Sequence, residues 1–120
     1  MKSKHDPRHQ KRIKSIQALY AWGVTGNFDS EAIIEIIPQL PEIDKQIAKA
    51  APKWPTDQIN KVDLAILRYS IWELKNQDKT PPKVIIDEAI EIGKELSDTK
   101  SASFINAVLG YILKNEHGQN

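Results

Sequence analysis

Apolar positions recur every three or four residues along most of the chain, the spacing of helices with one buried face. No segment keeps the strict alternation of a half-buried strand, and no Asn-Gly or Asp-Gly hairpin turn occurs. The first helix is predicted over Arg8–Val24, with Asp6 as N-cap, Pro7 at the first helical position and Gly26 as the stop. Ile13, Ile16, Tyr20 and Val24 form its expected buried stripe, and Arg8, Lys11 and Arg12 share a neighbouring face. A second helix is expected over Ser30–Ile37, capped by Asp29 or Ser30 and ended by Pro38. A third runs over Glu42–Ala51, between Pro41 and Pro52, and is followed by a corner where Trp54 plugs the core edge.

Thr56 or Asp57 is expected to cap the next helical stretch, which runs to about Lys75 with a break near Asn60. Pro82 opens a helix to about Leu96 that is apolar on more than half its circumference, so it is expected to be central, with Gly93 permitting close approach. Ser101 or Ser103 caps a last helix to about Lys114. These elements predict an all-α fold: a single domain of six or seven short helices over residues 8–114, between a flexible basic arm (1–7) and a frayed tail (115–120).

Composition narrows the class. The 120 residues are 40% hydrophobic and 28% charged, which fits a globular protein. The absence of cysteine excludes disulfides, thiolate metal sites and cysteine nucleophiles. No apolar run approaches the roughly 20 residues that span a membrane, and Met1–Lys14 is too polar for a signal peptide, so a cytoplasmic protein is expected. The net charge of +1 conceals an asymmetry. Lys2, Lys4, Arg8, Lys11, Arg12 and Lys14 stand against Asp6 alone, while acidic residues outnumber basic ones in the rest. A basic arm on a mildly acidic body suggests a polyanion met at one end.

Candidate chemistry is sparse. His5 and His9 stand four apart, a chelating spacing, but Asp6 is the only carboxylate beside them, and no metal site is assigned. Asp87, Glu88, Glu91 and Glu95 read as an exposed face ion-paired with Lys83 and Lys94. No phosphate-binding glycine loop, nucleophile elbow or metalloprotease motif is present, so no enzyme and no cofactor is expected. Three features point to binding. Arg8, Lys11 and Arg12 can neutralise phosphates. The corner of Lys100, Ser101, Ser103 and Phe104 offers a cation, hydroxyls, a helix N-terminus and an aromatic ring suited to an unpaired base, although spacing alone favours a core anchor for Phe104. Asp63, Leu64 and Arg68 lie on or beside an apolar stripe, as a salt-linked surface or a docking face.

Four ordered motifs stand out: Ile16-Gln17-Ala18-Leu19-Tyr20 after the basic arm, Lys61-Val62-Asp63-Leu64-Ala65-Ile66-Leu67-Arg68, Pro82 to Ile92, and Phe104-Ile105-Asn106-Ala107-Val108-Leu109. Together they resemble the NusB family of transcription antitermination factors. The resemblance implies two small helical halves packed together. It also implies binding of single-stranded boxA RNA jointly with NusE, the ribosomal protein that doubles as a transcription factor, within the RNA polymerase antitermination complex that supports rRNA transcription. RNA contacts carry over to Arg8, Lys11, Arg12, Lys100, Ser101 and Phe104, and the NusE contact to Asp63. The segment between the first helix and the Trp54 corner is shorter than the family's usual one, and Leu64 stands where a basic residue is common. A monomer is expected. The alternative is a helical interaction or accessory module of the same fold without RNA binding.

Overall fold

A computed structural model of the chain describes residues 6–27, 30–76 and 79–117. Among them are five α-helices: α1 Pro7–Thr25, α2 Leu40–Ala50, α3 Lys61–Asn76, α4 Pro82–Leu96 and α5 Thr99–Ile112. No strand occurs among the described residues. His5, Asp29 as a cap, the start of the arm and the last three residues of the tail lie outside them.

Local chemistry accounts for the helix ends. The Asp6 carboxylate accepts the Arg8 N–H at 2.8 Å, beside Pro7. Gly26 closes α1 at φ 78°, donating its N–H to the Trp22 carbonyl. Asn60 breaks the fourth stretch, since its side chain accepts the Val62 and Asp63 N–H groups and starts α3 there. Upstream of it only a single 3-10 turn, Thr56–Gln58, forms. The cap of α5 is Asp98, which accepts the Ser101 N–H at 2.8 Å, so that helix starts before the expected serines. Past Ile112 the chain widens into one π-helical turn, Leu113–His117.

The expected Ser30–Ile37 helix does not form. The segment is two 3-10 turns, Glu31–Ile33 and Ile37–Gln39. Pro38 removes a backbone donor from a stretch already too short to favour nucleation. A 3-10 turn places residues three apart on one face, and Ile33 and Ile36 are both buried in the core.

The central element is α3, not α4. Ten of its sixteen residues are buried, and it packs against α1, α2, α4 and α5. Ile66, Leu67 and Ile71 meet Ile16 and Leu19 of α1, Ile43 and Ile47 of α2, and Ile105 and Leu109 of α5 in one core. The α4 helix is two-sided: Ile85, Ala89 and Ile92 face inward while Asp87 and Glu91 pair with Lys83 and Lys94 outside. Its closest neighbour is α5. A Cβ on Gly93 would stand 2.9 Å from the Ile105 Cδ1, so glycine permits that approach.

The face that α1 buries is rotated from the expected one. Tyr20 and Val24 are 43% and 53% exposed, whereas His9, Arg12, Ser15, Ile16 and Leu19 are buried. Arg12, 5% exposed, makes a bidentate pair with Glu73 of α3 at 3.0 and 2.7 Å and reaches Glu88 of α4 at 3.5 Å. A second fork joins Arg68 of α3 to Asp44 of α2 at 2.9 and 3.0 Å, with the guanidinium 5.2 Å from the Trp22 ring centroid.

Removing one partner of a buried pair strands the other charge in a poorly solvated site. Arg12→Ala is therefore expected to lower the unfolding free energy by about 3–5 kcal/mol in urea titration. Gly26→Ala forces a side chain into the left-handed region and is expected to cost about 1–2 kcal/mol in the same assay.

Candidate nucleic-acid interface

The corner between α4 and α5 is built from Ser97-Asp98-Thr99-Lys100. Because Asp98 caps α5, Lys100 and Ser101 fall in that helix's first turn, beside its free N–H groups. Ser101 is buried and donates its hydroxyl to the Ser97 Oγ at 2.9 Å. Phe104, one turn on, is half-buried: its ring packs on the core and also lines a cavity of about 330 Å3. The cavity brings together Lys100, Ser101 and Phe104 with Asp63 and Asn60 from the start of α3 and Trp54 from the preceding corner.

Trp54 does not plug the core. Its side chain is 54% exposed and forms an outer wall of the cavity. Pro52 and Pro55 bracket it in a turn closed by the Trp54 N–H on the Ala51 carbonyl at 3.0 Å, and the ring stays outside the core. Trp54 was not expected to line this cavity, although an aromatic between two prolines was the available signal.

Asp63 is 6% exposed, and its Oδ1 has no hydrogen-bond partner. Burial raises its pKa above the ordinary carboxylate value; the Ser101 hydroxyl opposes this and the Asp98 charge adds to it. An acceptor this buried and unsatisfied is costly to the fold. Its position in the cavity suits a donor that arrives from outside. Asp63 is therefore sunk in the cavity beside Lys100, Ser101 and Phe104.

The basic residues of α1 are not gathered there. Arg8 is exposed and pairs with Asp6 at 3.0 Å. Lys11 is exposed and borders a different cleft, with Ser15, Glu31, Glu35, Tyr69 and Trp72. Arg12 does not project to solvent, which corrects the expectation of a basic face: its guanidinium is interior and engaged by Glu73. The three cations share a helical face in a wheel, but one edge of that face is the α1–α3 interface.

The sequence reading also missed the polar cluster itself. His9 is buried, with Nδ1 3.1 Å from Glu88 and Nε2 3.1 Å from Glu95. Glu88 belongs to the interior, not to the exposed acidic face, and it lies in register with Ile85 and Ile92. A charge within an apolar stripe was the signal. No group of three or more metal-ligating side chains occurs among the described residues, and none of their helices is long and apolar enough to cross a membrane.

Comparison with known proteins places this geometry. Residues 25–114 match the NusB family model. The transcription antitermination protein NusB of Treponema denticola is 35% identical over 88% of this chain and 94% of its own length. That of Finegoldia magna is 32% identical over 89% and 93%. Among solved structures, Thermotoga maritima NusB superposes with a TM-score of 0.78 at 28% identity, covering 96% of this chain and 94% of that one. A chain in the crystal structure of a plectonemic RNA supercoil shares the fold, with a TM-score of 0.83 at 21% identity. Family match, relatives and fold agree, and the chain belongs to the NusB family of transcription antitermination proteins, which are not enzymes.

Proposed function

We propose that this protein binds single-stranded boxA-type RNA together with NusE and so supports antitermination during rRNA transcription. The observation that carries the proposal is the α4–α5 cavity, where Lys100, Ser101 and Phe104 line the same space as Asp63. The residues expected on the RNA side and on the partner side thus fall side by side. A base stacks on Phe104, with Trp54 as the second aromatic wall, and the adjacent phosphate meets Lys100 and the N-terminus of α5. NusE supplies a donor to the free Asp63 oxygen. Each ligand completes a wall for the other, which favours joint over separate binding. Arg8 and Lys11 make outer phosphate contacts along the arm, whereas Arg12 holds α1 in place and touches no RNA.

The second reading, an interaction module without RNA binding, draws on the same structure: two carboxylates, Asp63 and Asp98, accompany a single lysine in the cavity. Fluorescence anisotropy of a labelled boxA RNA, with and without NusE, separates the two. RNA affinity that rises with NusE supports the proposal, and NusE binding without RNA affinity at low salt supports the module.

Phe104→Leu keeps the packing and removes the stacking face, so RNA affinity is expected to fall roughly fivefold or more. Lys100→Ala is expected to weaken binding and to lower the slope of log affinity against log salt by roughly one unit. Asp63→Asn removes a buried charge. Its melting temperature is expected to exceed the wild type's at pH 7, with the gain shrinking as pH falls through the raised Asp63 pKa, while the NusE enhancement is lost.

A further inference from the structure

The His9 imidazole is 4% exposed and lies between two carboxylates of α4, with Nδ1 3.1 Å from the Glu88 Oε1 and Nε2 3.1 Å from the Glu95 Oε1. A neutral imidazole has one N–H and one lone pair, so it satisfies only one of these contacts and sets its lone pair against the other oxygen. The imidazolium donates to both. The charges around it favour that form: Glu88 and Glu95 from α4 and Glu73 from α3 face the single guanidinium of Arg12, while Arg8 is paired with Asp6 at the start of α1.

Position gives this contact a consequence. The body of α1 packs on α3. Its first turns reach α4 through His9 and Arg12. Arg8 precedes His9 directly, and Lys11 follows within one turn. Glu95 sits in the last turn of α4, immediately before the corner that carries Lys100.

We propose that His9 is a positioning residue that works only as the imidazolium: bridging Glu88 and Glu95, it fixes the start of α1 and the end of α4, and RNA binding weakens as that proton is lost. The RNA half of this proposal rests on the function proposed above. Burial opposes the charge, but the hydrogen bonds to Glu88 and Glu95 outweigh it, and the His9 pKa is raised above its ordinary 6.5. The stabilisation is accordingly complete below pH 6.5 and is lost as pH rises through the higher folded value. Lysine and arginine keep their charge throughout that window, so the basic contacts themselves do not produce the effect.

The test uses the full chain. NMR titration of the His9 ring and hydrogen exchange of amides 8–12 are followed without RNA from pH 6 to 8.5. Anisotropy with a single-stranded boxA-type oligonucleotide covers the same range, for wild type, His9→Gln and His9→Arg. Wild type is expected to show a His9 pKa above 6.5, amide protection that falls with pH, and RNA affinity that drops about five- to tenfold across the series as the imidazolium loses its proton. His9→Gln is expected to bind weakly and without pH dependence, and His9→Arg, which keeps its charge and several donors throughout the pH series, to bind tightly and without pH dependence. A His9 pKa at or below 6.5 overturns the latch. A raised pKa with pH-independent RNA affinity in wild type overturns its link to binding. Absence of RNA binding at every pH instead sinks the RNA-binding function, and the latch is then decided by the titration and exchange data alone.

Discussion

A guanidinium enclosed by protein must face carboxylates or remain unsolvated, and the Arg12–Glu73 pair meets that condition at one place on α3. The pair sets which face of α1 lies on α3. The rest follows geometrically: Ile16 and Leu19 enter the core, Tyr20 and Val24 turn outward, and His9 arrives between Glu88 and Glu95. Arg68 and Asp44 do the same for α2. The central helix thus positions its neighbours through paired charges as well as through isoleucine and leucine contacts. Apolar packing tolerates sliding, whereas a bidentate pair specifies one register.

The candidate site has the opposite character. Asp63 is buried with an unsatisfied oxygen, and Trp54 leaves a large ring in solvent. Both are unfavourable for the isolated domain and both become favourable against a ligand that brings a donor and a flat apolar surface. The interior ion pairs are satisfied and the cavity is not, which divides residues that hold the fold from those available for recognition.

Much of the architecture was legible from the chain. Pro7 after Asp6, Gly26, Pro82 and the 3.6-residue spacing located α1, α3, α4 and α5 to within a few residues, and the break at Asn60 fell where expected. The shortened segment was legible as an anomaly but not as two 3-10 turns, because Ile33 and Ile36 fit both helical periods. That Lys100, Ser101 and Phe104 share one corner was legible from their spacing along the chain. Trp54 was misjudged because large aromatics beside turns are usually covered, and only the course of the chain between Pro52 and Pro55 decides that one is not.

What the sequence determined by itself is local: periodicity, caps and proline breaks depend on residues within a turn or two of one another, and so does the gathering of Lys100, Ser101 and Phe104 at one corner. What the tertiary structure alone decided is the fate of the charges. Arg12 and Lys11 are adjacent and chemically alike, yet one is interior and the other exposed, because Glu73 lies 61 residues from Arg12 and is brought beside it only by folding. Glu88 and Asp87 divide in the same way, as do His9 and Arg8. A side chain's environment is set by what faces it, and for these residues the facing groups come from distant parts of the chain.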